Sequence, residues 1–373
     1  MIKVLHLVEQ NYPENSGGVE RYLYFLFKEA ENYSSELTKN QIKYIKRSSK
    51  SFGIDQPYGI KPQTLGHSLI TKKNVNEFIT KNQIDLIHAH HSAPFGLSLL
   101  CKLAKQYPLI LHWHDYFVLC QRTQLVNYQN QICSGPSITK CTICIRNKKS
   151  FIKKLIIPLL IQWRIINAYR LLNACAAIVI PQSNLCNKIP KRFRTKCVVI
   201  PYQSEPQWEL DLGFVKNQKP YTALRTDSWC VLGGPSSHKG ILDLIDELKT
   251  IDFKGELNIF GDGWNNKMNL PSFAKIRGRL LSRKQLATCS HWIIPSKWQE
   301  TGPLVAIEAH KMGLNIWARK GAITSDITEL YNVSLFEHVS DINKQIKNNL
   351  IRKTIPSWRS IIRSYELLYA KLI

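Results

Sequence analysis

Short apolar runs recur along this chain, each closed by a proline, a glycine or a polar cluster. The first, Ile2–Val8, has the length and composition of a buried strand. Gly17-Gly18 then opens a stretch, Val19–Ala30, whose apolar residues fall at helical spacing. Ile84–His90 reads as a strand, Ala93–Ala104 as a helix and Leu109–His114 as the next strand. Ala177–Pro181 and Cys197–Pro201 are two further strands, each stopped by proline. A second alternating set follows. It holds the strand Trp229–Leu232, the helix Ile241–Leu248, the strand Leu257–Phe260, the strand His291–Pro295 and the helix Val305–Lys311, stopped by Gly313. Alternation of this kind argues parallel, doubly wound sheets. Between the two sets, Pro201–Pro220 is polar and irregular and reads as a linker. Trp358–Leu372 reads as an amphipathic helix. The expected fold class is therefore α/β, with two Rossmann-like doubly wound domains at residues 1–204 and 205–355 and a terminal helix at 356–373.

At 373 residues and 44% apolar content, the chain can bury two ordinary cores. No apolar run is long enough for a membrane-spanning helix. The amino-terminal residues read as a strand and lack a secretory cleavage pattern, so the expected location is cytoplasmic. The formal net charge of +24 is uneven: residues 1–200 carry 28 Lys and Arg against 10 Asp and Glu, whereas residues 201–373 carry 23 against 17. Such a field draws nucleic acid, an anionic membrane face or a phosphorylated acceptor. No nucleic-acid-binding motif accompanies it, and no nucleic-acid partner is expected. The segment 146–170 is basic and apolar, and residues 116–204 contain no acid at all. That combination is expected to lie peripherally on the anionic inner face of the plasma membrane.

The most specific chemistry lies in Pro295–Ala309. Glu300 and Glu308 stand eight positions apart around a Gly302-Pro303 turn. Glu300 falls in the loop after a strand and Glu308 about one turn into the next helix, where open parallel sheets bind ligands. Carboxylates there can hold sugar hydroxyls, while helix N-terminal N–H groups hold a phosphate. Gly17-Gly18 permits close backbone approach to a phosphate or sugar, but it is not the G-x-G-x-x-G fingerprint of dinucleotide binding. Lys239, after the glycine-containing loop Gly233-Gly234, can neutralise a diphosphate; a solvated surface lysine is the plainer alternative. Gly261-Asp262-Gly263 is either a tight turn or part of a base pocket. His114-Asp115 ends a strand, where histidine can bond a hydroxyl or move a proton. His88 and His90 alternate on one strand and so share a face, as structural residues more readily than metal ligands. Cys120, Cys133, Cys141 and Cys144 occupy the loop 116–145; four thiolates could form a structural zinc site, although their spacing fits no standard finger. Cys101, Cys175 and Cys230 sit in apolar runs, as small core residues do.

In this order along nearly the whole chain, these motifs resemble those of the family-4 retaining glycosyltransferases of the bacterial surface-polysaccharide type. The resemblance implies the GT-B fold, two Rossmann-like domains facing across a cleft, with the helix from Trp358 crossing back to the first. It implies a nucleotide-sugar donor, UDP- or GDP-linked, held mainly by the second domain, and no cofactor or metal for the chemistry. Carried over, Glu300 contacts donor-sugar hydroxyls, Glu308 holds the ribose, and the backbone of Gly302, Leu304 and Val305 approaches sugar and diphosphate. Lys239 stabilises the departing phosphate, and His114 contacts the reacting centre. Gly17, Gly18, Gly234, Gly261, Asp262 and Thr301 line the donor, with His90 and Asp115 on the acceptor side. The acceptor would be lipid-linked or a polysaccharide, in capsule or lipopolysaccharide assembly. One position departs from the pattern: the family carries arginine where this chain has Gly234, unless Arg225, Arg277 or Arg279 supplies that cation. The alternatives are a non-catalytic GT-B protein serving as a membrane-associated assembly partner, which Gly234 favours, and a nucleotide-sugar epimerase, which the basic first half disfavours.

Overall fold

The computed structural model describes residues 2–8, 17–33, 43–47, 52–54, 63–65, 72–146, 151–205, 228–264, 269–280, 283–286, 289–342 and 355–373. From residue 206 on, the expected linker lies outside the described residues, as does Arg225. The chain forms two compact units: residues 1–128, 134–203 and 356–373 make the first, and residues 129–133 with 204–355 make the second.

The first unit is built on an eight-stranded sheet of β1 (Val4–Val8), β2 (Lys43–Arg47), β3 (Phe52–Ile54), β4 (Gln63–Leu65), β5 (Leu86–Ala89), β6 (Leu109–His112), β7 (Ala177–Ile180) and β8 (Cys197–Val199). Their order is β4-β3-β2-β1-β5-β6-β7-β8. From β2 to β8 the pairings are parallel, whereas β3 runs antiparallel to β2 and β4. The central strands β1, β5, β6 and β7 are buried throughout. A strand covered on both faces has no solvent side to reserve for polar residues, so it reads as a continuous apolar run. Full burial of one Leu or Ile here is worth about 1.5–3 kcal/mol.

Helices α1 (Gly18–Asn32), α2 (Lys72–Asn82), α3 (Leu97–Ala104), α4 (Ile138–Arg146) and α5 (Phe151–Ala174) belong to this unit. The expected helix at Ala93–Ala104 begins only at Leu97, because residues 93–95 form a turn and Gly96 adopts φ +76°. The basic-apolar segment is one long helix, α5, that continues through Pro158. Its inner face (Ile157, Ile161, Ala168, Leu171 and Leu172) is buried, and the helix packs on α3 and α4. That packing outweighs the helix hydrogen bond that the proline removes.

The second unit has a six-stranded parallel sheet: β9 (Ser228–Leu232), β10 (Glu256–Phe260), β11 (Ala274–Gly278), β12 (His291–Ile294), β13 (Asn315–Arg319) and β14 (Ser334–Phe336). The order is β11-β10-β9-β12-β13-β14. Its helices are α6 (Ile241–Thr250), α7 (Leu304–Met312) and α8 (Ser325–Leu330). Trp229, Val231, Leu244, Leu248, Ile293 and Trp317 sit at the centre of its core. The terminal helix, α9 (Trp358–Leu372), returns to the first unit and packs on α1. Ser357 caps it, its Oγ accepting from the Ser360 N–H at 3.2 Å. On the packed face the hydroxyls of Tyr22 and Tyr365 lie 3.0 Å apart, and the rings of Tyr22 and Trp358 stack at 5.8 Å.

Candidate functional site

In the second unit, strands are added outward on one side from β9 to β11, and the chain then crosses to β12 on the other side of β9. The order therefore reverses between β9 and β12. Loops leaving the carboxyl ends of two such strands diverge and leave a crevice between them. The β9 loop carries Gly233, Gly234 and Lys239; the β12 loop carries Pro295 to Pro303 and runs into α7. The two loops are locked together. The Lys297 N–H donates to the His238 carbonyl at 2.8 Å, while the Glu300 N–H ties the β12 loop to the loop after β13 by donating to the Ala322 carbonyl at 2.8 Å. Gly240 has φ +68°, and a Cβ there would stand 2.1 Å from the Pro295 carbonyl oxygen. Only glycine permits both the left-handed turn and that approach.

Lys239 and Glu300 meet across this junction: Lys239 Nζ donates to Glu300 Oε1 at 2.8 Å, and Ser296 Oγ donates to the same oxygen at 2.6 Å. Glu300 is only 6% exposed. Burial alone pushes its carboxyl upward, but the Lys239 charge and the hydrogen bonds from Lys239 and Ser296 outweigh it and hold the group below the ordinary carboxylate range. Glu300 is thus an ionised acceptor on the loop, with a cation beside it. His238 is held below the ordinary histidine value by burial and by Lys239. Lys239 Nζ lies 5.8 Å from the centre of the Trp298 ring. Glu308 is the fifth residue of α7 and fully buried, while Thr301 is buried and Gly302 and Val305 are partly exposed.

The β10 turn joins the same cluster. Trp264 Nε1 donates to the Gly233 carbonyl at 2.7 Å, and a Cβ on Gly234 would stand 2.9 Å from the Asp262 carbonyl oxygen. Arg279 grips both Asp262 carboxylate oxygens at 2.8 Å, which brings a cation to the turn beside Gly234. Arg277 instead serves the sheet, bonding Asn258 and Glu256.

In the first unit the strand order reverses between β1 and β5, and histidines gather there. His6 pairs in register with His88. His6 Nδ1 lies 2.8 Å from His90 Nε2, His90 Nδ1 lies 3.0 Å from His114 Nε2, and His114 Nδ1 bonds the Tyr202 hydroxyl. His88 Nδ1 bonds the Tyr369 hydroxyl of α9 at 2.8 Å. His112 stacks on His114 with ring centres 3.8 Å apart. All five rings are buried. Burial drives His88 down to about 3. Burial, and then the repulsion of neighbouring imidazoles, holds His6, His90, His112 and His114 well below the ordinary value. Burial keeps these rings neutral; His90 and His114 spend both nitrogens on neighbouring rings and on Tyr202, whereas among the described residues neither nitrogen of His112 has a hydrogen-bond partner. Asp115 closes a local turn, its Oδ1 accepting from the Phe117 N–H at 2.7 Å. Gly17 precedes α1 in an extended conformation, and Gly18 is the first helical residue.

The four loop cysteines are not brought together. Cys120, Cys141 and Cys144 line one cavity of the first unit, whereas Cys133 falls in the segment 129–133, which packs with the second unit. No disulfide joins any of the ten cysteines, and among the described residues no group of three cysteines brings its sulfurs to metal-ligand spacing. A structural zinc on these four residues is therefore not supported. Cys101, Cys175 and Cys230 are core residues. Sequence reasoning missed Ser296, which shares Glu300 Oε1 with Lys239, and it missed His6 and Tyr202. The position of His6 in a strand beside His88 was the available signal for the cluster; nothing in the sequence pointed to Tyr202.

Residues 16–202 match the family model described as Glycosyltransferase Family 4. The chain belongs to glycosyltransferase family 4. No curated protein sequence matches it. Solved structures do. Sucrose-phosphate synthase from Thermosynechococcus elongatus superposes with a TM-score of 0.58 at 14% identity, over 100% of this chain and 95% of that one. A glycosyltransferase from Rickettsia africae superposes at 0.57 with 16% identity, over 100% and 98%. Anabaena HepE in complex with UDP-glucose gives 0.52 at 16% identity, over 100% and 95%. At these identities the likeness establishes the fold: two parallel-sheet α/β domains of the GT-B kind. Family and fold together make the protein a glycosyltransferase. The family match ends before Lys239, Glu300 and Glu308.

Proposed function

We propose that the protein moves a sugar from a nucleotide-sugar donor, with retention of configuration, onto a lipid-linked or polysaccharide acceptor in cell-surface glycan synthesis. The observation that carries this reading is the Lys239–Glu300 pair at the β9/β12 crossover, ahead of the N-terminus of α7. Glu300 accepts hydroxyls of the donor sugar, and Glu308 serves the ribose. When the bond between the anomeric carbon and the phosphate oxygen breaks, negative charge appears on the diphosphate. Lys239 and the N–H groups at the start of α7 stabilise it. The acceptor hydroxyl attacks from the face the diphosphate leaves, and its proton passes to the departing phosphate oxygen. A UDP-linked donor is favoured because HepE, of the same fold, is described with UDP and with UDP-glucose.

The acceptor side of this reading includes a membrane surface. Among the described residues no helix is long and apolar enough to cross a membrane. Helix α5 nevertheless exposes Ile156, Leu159, Leu160, Trp163 and Ile166 at helical spacing, opposite its buried face. An apolar stripe on a helix in an acid-free stretch suits an anionic lipid interface.

Thermal stabilisation by UDP-, GDP-, ADP- and TDP-sugars tests the donor site, with Glu308→Ala as control. A UDP-sugar is expected to raise Tm, by about 2.7 kcal/mol of added stability at a hundredfold excess over Kd. The effect should vanish in the variant. A folded protein that no nucleotide sugar stabilises would overturn the reading.

A further inference from the structure

One cavity of the first unit is lined by none of the residues given a role in sugar transfer. It measures about 420 Å³, its open side included, and sits beneath α5. Two guanidinium groups, Arg122 and Arg164, face it together with the thiols of Cys120, Cys141 and Cys144. Ile161 and Ile165 of α5 contribute apolar wall.

The charges in this cavity are unbalanced. Residues 116–204 contain no Asp or Glu. Among the described residues neither Arg122 nor Arg164 forms an ion pair. Arg122 Nη1 donates weakly to Cys144 Sγ at 3.8 Å. Arg164 donates to the Phe117 carbonyl and lies over the Phe117 ring at 4.4 Å. Both side chains are half-buried. The Asp115 carboxylate acts on Arg164 from beyond ion-pair distance. A partly desolvated guanidinium with no carboxylate in contact is costly, and its planar fork is shaped for carboxylate or phosphate oxygens. The helix that supplies Arg164, Ile161 and Ile165 to the cavity also carries the exposed apolar stripe, with Trp163 adjacent to Arg164 in sequence.

We propose that this cavity binds the phosphate or diphosphate group of an apolar-chain lipid, with Arg122 and Arg164 holding the anion and α5 accommodating the start of the chain. This rests on the reading of a lipid-linked acceptor and adds the place where its phosphate is held. The chemistry recognised is a phosphate ester beside an apolar chain, not a free phosphate.

The three cavity thiols are built-in reporters. Their alkylation by N-ethylmaleimide, followed residue by residue by mass spectrometry on the full-length protein, should slow when farnesyl diphosphate is added. At a tenfold excess over Kd the rate should fall about tenfold, as the factor 1 + [L]/Kd requires. Cys133, which does not line the cavity, should react unchanged. Inorganic pyrophosphate should protect only at much higher concentration, and farnesol not at all. Calorimetric titration with farnesyl diphosphate measures the same affinity without the thiols. Arg122→Gln should weaken it at least about tenfold, as loss of one charge-assisted partner implies. Arg164→Gln is the second variant, because Arg164 also holds Phe117 and its loss can disturb the loop. No binding of farnesyl diphosphate in the calorimeter, pyrophosphate protecting equally well, or equal slowing of Cys133 would each overturn the proposal. A UDP-sugar should leave the cavity thiols unprotected. Failure of the donor site and failure of this cavity are thus read separately, on different ligands and different residues.

Discussion

Lys239 Nζ and Glu300 Oε1 lie 2.8 Å apart although 61 positions separate the two residues in the chain. The pair exists because the strands preceding the two loops, β9 and β12, are neighbours at the point where the sheet reverses its order. Removing the cation leaves a buried carboxylate with Ser296 as a remaining donor. Lys239→Met is expected to lower kcat by roughly 10²- to 10³-fold, the usual cost of losing one preorganised group at a developing anion. A double-mutant cycle with Glu300→Gln should give a coupling energy of roughly 0.5–3 kcal/mol in urea unfolding. Zero coupling would mean that the pair is not formed in solution.

The same pair has a pH signature. Glu300 is held below the ordinary carboxylate value in the folded state, so it contributes stability above its unfolded pKa. That contribution is lost as pH falls through the lower, folded value. In Lys239→Met that loss should shrink or reverse, because burial then pushes the carboxyl up against Ser296 and His238 alone, and a folded value raised toward or above the unfolded one no longer costs stability as pH falls. Unfolding free energy measured from neutral pH down to about pH 3 would show it, that range reaching below the ordinary carboxylate values.

The histidine cluster imposes an opposite requirement, since its members must remain neutral. Burial drives His88 to about 3, and it drives His91, whose ring lies 6.2 Å from that of His114 at the edge of the cluster, to about 4. A folded pKa below the unfolded one means that the unfolded chain binds more protons between the two values. Stability should therefore fall as pH drops below the unfolded histidine value of about 6.5, by up to about 1.4 kcal/mol per pH unit for each such ring. The expected result is a steep fall in Tm between neutral pH and pH 5, made shallower in His88→Gln. A Tm independent of pH over that range would show that the rings are solvated.

Much of this was legible in the sequence because the decisive strands are short apolar runs closed by proline or glycine. Ala177–Ile180 and His291–Ile294 are buried on both faces, and no competing helical period obscures them. The strands β11 and β14 alternate or expose their residues, β2 and β4 are mostly polar, and β3 is only three residues long, so no continuous run announced them. Glu300 and Glu308 were legible because a glycine-proline turn fixes their phase against α7. The role of Ser296 depends on a hydrogen bond that one residue type at one position does not reveal. The cysteines misled for a related reason: spacing counts residues, whereas Gln129–Cys133 pack with the second unit.

Restoring the family's arginine at Gly234 should not be a simple gain. Any Cβ there would meet the Asp262 carbonyl oxygen at 2.9 Å, so the β10 turn must shift. Gly234→Arg is expected to cost about 1–3 kcal/mol of stability, as overpacking does, unless the turn moves. Gly240→Ala should cost more, since its Cβ would lie 2.1 Å from the Pro295 carbonyl and its φ is positive. Urea denaturation of both variants would rank them; equal stability would show that the β9 and β12 loops are not held together as described.

The exposed stripe on α5 makes the membrane reading testable without disturbing the fold. Leu159 is 67% exposed and Trp163 57%, so replacing both with serine removes little core packing. Such surface changes usually alter stability by no more than about 0.5 kcal/mol each. Wild-type protein is expected to co-sediment with vesicles containing phosphatidylglycerol and to bind phosphatidylcholine vesicles far less. Binding should weaken as salt rises, because the attraction to the anionic surface is screened within about 10 Å at 0.1 M ionic strength. Leu159→Ser/Trp163→Ser should lose most vesicle binding while keeping its Tm and its stabilisation by a UDP-sugar. If the double variant binds anionic vesicles as well as wild type, charge alone carries the interaction and the apolar face of α5 must serve something else.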